Sequence, residues 1–126
     1  MAVIDWATGT VDRKQTVFLH DPDKKVPFRI VHEDTDKRYL TGADFDTEGF
    51  QIIGDTIWIG DEFGPYILKT DMSGKVLAVF ESQADGKPIK SPDHWSVQSP
   101  GAPGASYTGV NLKRSKGYEG FAASKD

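Results

Sequence analysis

The sequence predicts an all-β fold, and three observations carry that prediction. Between residues 45 and 82, four short runs rich in β-branched and aromatic residues are separated by tight turns. Near the N-terminus, "AVIDWAT" and "VDRKQTVFL" flank Gly9-Thr10 like the arms of a hairpin. The tripeptide Glu-Gly-Phe occurs twice, at 48–50 and at 119–121.

Taken in order, residues 2–8 and 11–19 are expected to form the N-terminal pair of strands. "HDPDKKVPFRIVHEDTDKRYLTGA" carries two prolines, two His-acid clusters and one apolar patch at Val31, and reads as ordered connection with at most one short strand. From Glu48 the pattern sharpens. "EGFQII", the turn pair Gly54-Asp55, "TIWIGDE", "YILKTD", the turn "MSG" and "KVLAVFES" make a four-stranded antiparallel meander. Alternation places Phe50, Ile52, Ile57 and Ile59 on one face and Ile53 and Trp58 on the other, as in a sheet covered on both sides. Residues 83–116 are dense in Pro, Gly and Ser before turning basic at "LKRSK", the composition of a long loop.

The Glu-Gly-Phe echo has a weaker companion, since Gly9 and Gly74 occupy equivalent turns with Val11 and Val76 two residues beyond. Radial repetition of four-stranded sheets is the β-propeller plan, in units of about 40 to 50 residues. The expected architecture is a fragment of a β-propeller, about two four-stranded antiparallel blades with a long loop insertion. Residues 2–19 would be the last strands of one blade, 45–82 one full blade, 83–116 the insertion and 118–126 the start of the next blade. A complete small β-sheet or sandwich explains the strands equally well but leaves the Glu-Gly-Phe repeat to chance. It predicts a soluble monomer, whereas open blade edges predict self-association.

Charge narrows the function. Nineteen acidic against fifteen basic residues give a net charge of −4, which argues against general affinity for nucleic acid or anionic membrane. No apolar run approaches the length of a membrane span. The chain has no cysteine, which excludes disulfides, thiolate metal ligands and a Cys nucleophile. "MAVIDWATGTVDRK" lacks the basic and apolar regions of a signal peptide.

From Tyr39 to Leu68 there is no Lys or Arg, yet "DFDTEGFQIIGDTIWIGDEFGPY" holds six carboxylates. If Gly54-Asp55 is a two-residue turn, Ile53 pairs with Thr56, Phe50 with Ile59 and Glu48 with Asp61. Two acids facing each other across a strand pair destabilise a sheet unless one is protonated or a cation lies between them. Glu62 points to the other face of a regular strand but turns back if a bulge precedes Gly64-Pro65, so the choice between Asp61 and Glu62 stays open. Oxygen ligands without Cys or His suit Ca2+ better than zinc. Acids solvated at strand ends, or paired with distant bases, are the alternative.

Together, "YLTGADFDTEGFQIIGDTIWIGDEFGPYILKTDMSGKVL" and "SKGYEGFAAS" resemble the bacterial phytase-like proteins with esterase-like activity. The resemblance rests on an Asp-x-Glu-Gly strand, a Trp-Ile-Gly-Asp-Glu-Phe-Gly-Pro strand, an Asp/Gly hairpin and a later Gly-Tyr-Glu-Gly strand, in that order. It covers residues 39–80 and 111–123. It implies a propeller with acidic residues from its inner strands around a central channel, often with calcium, a hydrolase activity, and a periplasmic or secreted parent. By motif, Glu48, Asp61 or Glu62, and Glu119 would line the channel. The match spans roughly two blades, so a site needing ligands from other blades would be incomplete.

Other chemistry is less developed. "GASYTG" has one residue too many for a Gly-x-Ser-x-Gly nucleophile motif. A Ser-His-acid set from distant residues is open, but nothing in the sequence selects one. Among the histidines, His94 in "PDHW" is the candidate general base, because it lies in the long insertion, with hydrogen bonding in a loop as the alternative. Lys113, Arg114 and Lys116 precede Glu119 and could receive the anionic group of a substrate. Two functions follow: a hydrolase acting on small anionic esters or phosphoesters with a divalent cation, or a non-catalytic propeller module with a structural calcium.

Overall fold

The structure is a computed structural model that describes residues 2–124. Its described residues contain eight strands and no helix. They form three antiparallel sheets: β1 (Ala2–Asp5) with β2 (Thr10–Arg13); β3 (Thr47–Ile53), β4 (Thr56–Asp61), β5 (Tyr66–Asp71) and β6 (Val76–Glu81) in sequential order; and β7 (Gln83–Ala84) with β8 (Lys87–Pro88). The all-β class is as expected, and the central sheet is the expected four-stranded antiparallel meander.

The N-terminal hairpin is shorter than the expected strands over 2–8 and 11–19. Asp5 closes the ladder opposite Thr10. Its carboxylate accepts hydrogen bonds from the Ala7 N–H and the Thr8 hydroxyl, both at 2.9 Å, and its carbonyl accepts from Gly9 N–H at 2.8 Å, which pulls residues 6–9 out of the sheet. Both strands are exposed throughout. Past Arg13 the chain leaves the hairpin, and Val17 and Leu19 pack against the main core instead. The turn between β5 and β6 is built the same way. Asp71 Oδ1 accepts from Ser73 N–H at 2.8 Å and the Asp71 carbonyl accepts from Gly74 N–H at 3.1 Å. Gly9 and Gly74 both have positive φ, 70° and 90°.

The meander follows from its alternation. Rows Phe50–Ile59–Leu68–Val79 and Ile52–Ile57–Thr70–Val76 share one face. Leu68, Thr70 and Val76 are fully buried there. Val26, Ile30 and Phe45, from the irregular segment before β3, cover this face and complete the core with Ile57, Ile59, Tyr66 and Leu68. On the opposite face Trp58 stacks on Phe80 with ring centroids 5.8 Å apart, and the Lys69 ammonium lies 4.9 Å above the Trp58 ring. The edge strand β3 is less covered than the alternation predicted: Phe50, Ile52 and Ile53 are about half exposed.

The segment before the meander forms no strand at Val31. It is ordered by one buried side chain. Asp21 accepts backbone N–H groups of Lys25 (2.6 Å) and Val26 (3.0 Å) and pairs with buried Arg38 at 3.3 Å, while Arg38 Nε donates to the Asp21 carbonyl at 2.8 Å. Arg38 also reaches Glu33 at 2.6 Å. Within the expected loop 83–116, the small hairpin β7–β8 is the one regular element among the described residues. Residues 118–124 carry no strand.

Candidate functional site

The expected pairing of Glu48 with Asp61 does not occur. Ile53 faces Thr56 and Phe50 faces Ile59 as expected, but Gly49 faces Gly60 and Thr47 faces Asp61. Glu48 is the extra residue of a β-bulge, left without a position opposite Asp61. Three carboxylates meet there instead: Asp46 just before β3, Glu48 in the bulge and Glu62 just after β4. One oxygen from each lies within 4.8 Å of the other two.

Asp61 shapes this trio from beneath. It is fully buried, and its two oxygens accept the N–H groups of Asp46 (2.8 Å) and Gly64 (2.9 Å). The Glu62 N–H in turn donates to the Asp46 carbonyl at 2.9 Å. The strand ends carrying Asp46 and Glu62 are therefore tied together through one side chain and one backbone bond. Burial pushes the Asp61 carboxyl above the ordinary aspartate range, against the pull of the backbone N–H groups of Gly64, Asp46, Phe63 and Tyr66. Glu62 is also raised, first by loss of solvent and then by the charges of Asp46, Glu48 and Glu119, with Lys116 opposing.

The second Glu-Gly-Phe reaches this region because two glycines make room for it. Gly49 and Gly60 face each other across β3 and β4. A Cβ on Gly60 would come within 2.8 Å of the Tyr118 Cβ, and one on Gly49 within 3.0 Å of the Phe121 nitrogen. The Gln51 side chain donates to the Phe121 carbonyl at 2.8 Å, and the Tyr118 hydroxyl lies 2.9 Å from Ser82 Oγ. Glu119 is thereby brought near enough to act on Glu62. It is nevertheless exposed, pairs with Lys116 at 3.6 Å, and is not part of the carboxylate trio.

A family model described as phytase-like, esterase-like activity of phytase, matches residues 2–126. The chain belongs to the phytase-like family. No curated protein and no solved structure matches it.

For this phytase-like chain, the donor set fits a hard cation: three carboxylates converge, and among the described residues none of the three is engaged in an ion pair. Asp46 is absent from the sequence-based candidates, although it lies two residues before Glu48 in the Asp-x-Glu string, a spacing that puts both on one side of an extended chain.

The basic residues named from sequence do not act as one cluster. Arg114 is held by Asp93 at 2.5 Å and by the Tyr107 hydroxyl at 3.1 Å. Lys116 pairs with Glu119, and Lys113 is exposed on the rim of a separate surface hollow with Pro92, Tyr107 and Leu112. His94 is buried and is not part of the trio; its ring lies 5.4 Å from that of Tyr66. Its Nε2 lies 2.8 Å from Glu81 Oε1 and its Nδ1 2.9 Å from Ser96 Oγ. Burial lowers the His94 pKa, with Glu81 opposing. The Tyr66 hydroxyl is buried with no well-formed hydrogen bond among the described residues, and burial pushes its pKa far up, with the Trp95 backbone opposing.

Proposed function

We propose that this chain is part of a β-propeller hydrolase that cleaves small anionic esters or phosphoesters with the help of a divalent cation held by Asp46, Glu48 and Glu62. The supporting observation is the convergence, beside the bulge, of three carboxylates that form no ion pair among the described residues. Their all-oxygen chemistry favours Ca2+. When bound, such a cation polarises a carbonyl or phosphoryl oxygen and lowers the pKa of water.

The chain's own residues have distinct parts in this reading. Asp61 is a positioning residue, because its hydrogen bonds to Asp46 N–H and Gly64 N–H hold the loop ends on either side of the trio. Glu62, raised by loss of solvent and then by the charges of Asp46, Glu48 and Glu119, would be relieved by a cation placed among them. Glu119 still acts on Glu62 from the edge, and because Lys116 is paired with Glu119, exposed Lys113 is the base that offers positive charge to an anionic substrate. Arg114 has no such part, since Asp93 already holds it.

A second reading treats the cation as structural in a non-catalytic module. It is favoured by the positions of the ligands, because an ion there would clamp the start of β3 to the end of β4. Calorimetric titration with Ca2+, followed by hydrolysis assays on p-nitrophenyl phosphate and p-nitrophenyl acetate, separates the two. The enzymatic reading expects Ca2+-dependent turnover that Glu48→Gln and Glu62→Gln each reduce at least about tenfold. Ca2+ binding without Ca2+-dependent turnover supports the structural module, and no binding overturns both.

A further inference from the structure

The insertion after β6 holds a second constellation that the carboxylate trio does not use. Four side chains form a chain of hydrogen bonds: Glu81 Oε1 to His94 Nε2 at 2.8 Å, His94 Nδ1 to Ser96 Oγ at 2.9 Å, and Lys90 Nζ to Ser96 Oγ at 2.7 Å. Ser96 is exposed, whereas His94 is 2% exposed. From this geometry we propose that Ser96, His94 and Glu81 form a nucleophile, general base and orienting acid for the hydrolysis of small carboxylic esters, with Lys90 supporting the nucleophile. The site is independent of any cation at Asp46, Glu48 and Glu62.

The proton positions follow from the partners. The Ser96 backbone N–H donates to His94 Nδ1 at 3.1 Å, so Nδ1 carries a lone pair and not a proton. The proton of the neutral ring is then on Nε2, where the Glu81 carboxylate accepts it. An ammonium only donates, so Ser96 Oγ accepts from Lys90, and its own hydrogen is free to point at Nδ1. This is the tautomer a general base requires, with the acid behind it fixing the ring. Burial favours the neutral imidazole, Glu81 opposes that, and Lys90 reinforces it.

The backbone keeps these groups in place. Ser91 N–H donates to the Gly64 carbonyl at 3.1 Å, His94 N–H to Ser91 at 3.2 Å and Val97 N–H to His94 at 2.9 Å. On the other side of the relay, Lys90 N–H donates to Asn111 Oδ1 at 2.7 Å, and the Lys90 carbonyl accepts from Asn111 N–H at 3.0 Å. Glu81 ends β6, where it pairs with Tyr66.

The reaction balances without a co-reactant other than water. Ser96 Oγ forms a bond to the ester carbonyl carbon as its proton passes to His94 Nδ1, and the carbonyl π pair becomes an oxyanion. Collapse of that oxyanion breaks the bond to the alcohol oxygen, which leaves with the proton from Nδ1. The acyl group remains on Ser96. Water then adds to the acyl carbon as Nδ1 takes one of its protons, and collapse releases the carboxylic acid while the proton returns to Ser96 Oγ. Glu81 balances the transient imidazolium, and the Lys90 ammonium stands beside the forming bond.

The test is labelling of the folded protein by a fluorophosphonate in excess EDTA, with the adduct located by peptide mass, alongside hydrolysis of p-nitrophenyl acetate. The expected result is label on Ser96, no label on Ser96→Ala, and at least about tenfold slower turnover for Ser96→Ala and Glu81→Gln. Ser99→Ala, in the same loop but outside the relay, should behave as wild type. Wild-type protein that takes no label, or label spread over other serines, overturns the proposal without reference to any variant's folding. Because EDTA is present throughout, neither result depends on the cation-based reading.

Discussion

The two Glu-Gly-Phe segments are identical as tripeptides and differ in everything around them. Glu48 sits in a bulge with Asp46 two residues before it and Glu62 across the strand end, and the three acids share one space. Glu119 follows Lys116, belongs to no strand and spends its charge on that lysine at 3.6 Å. On the proposed reading, a carboxylate's capacity to hold a cation comes from the strand beside it and from its not being paired with a base. The motif alone does not confer it.

Removing the support beneath the first copy should have the largest effect. Asp61→Ala would leave the Asp46 and Gly64 N–H groups without their acceptor, a loss of about 1–3 kcal/mol for the buried Gly64 donor and less for the half-buried Asp46 one. Denaturant unfolding should show a clearly lower midpoint at unchanged slope. A midpoint equal to wild type would break the comparison, because the trio would then be held by something other than Asp61.

Direct exchange of the two glutamates is expected to matter next. Calorimetric Ca2+ affinity should fall at least about tenfold for Glu48→Gln but less than about threefold for Glu119→Gln, since only the former removes a converging ligand. Equal losses would mean that Glu119 leaves Lys116 to join the site, and the distinction drawn here would fail.

The smallest effect concerns protons. Because the Glu62 pKa is raised, the proton competes with a cation at a pH above that at which an ordinary glutamate titrates. Affinity for Ca2+ should therefore be complete well above that range and decline as pH falls through it. Lys116 holds the Glu62 pKa down, so Lys116→Met should move the midpoint of this decline upward by a fraction of a pH unit, about the size expected of an exposed charge. A midpoint unmoved by Lys116→Met would detach the second segment electrostatically from the first.

Much of the sheet was legible because alternation and turn residues agree: Gly54-Asp55 sets the register of β3 and β4, and Ile57, Ile59 and Leu68 fall on the buried face. The bulge was not legible, because it lies at the very start of β3, where only Thr47 precedes it and there is too little alternation for a change of phase to show. It moved Glu48 out of line with Asp61 and turned an expected acid pair into a trio with a separate supporting acid. The N-terminal strands are shorter than expected because the apolar residues past Arg13 leave the hairpin: Val17 and Leu19 pack against the main core, and the Leu19 carbonyl accepts from Leu40 N–H instead of from a hairpin partner. The relay of Glu81, His94 and Ser96 depends on how the insertion folds back onto the end of β6, and no local spacing encodes that.

The aspartate-tethered turns at Asp5 and Asp71 have one further implication. Each fastens its own loop through bonds that begin and end within a few residues, so much of the corner travels with the segment, although the Asp71 turn is also met by the His20 N–H at the Gly74 carbonyl, 3.0 Å away. Such a cassette is interchangeable: a chain that lengthens by duplicating a hairpin carries a working corner with it, and the copies remain free to diverge everywhere else.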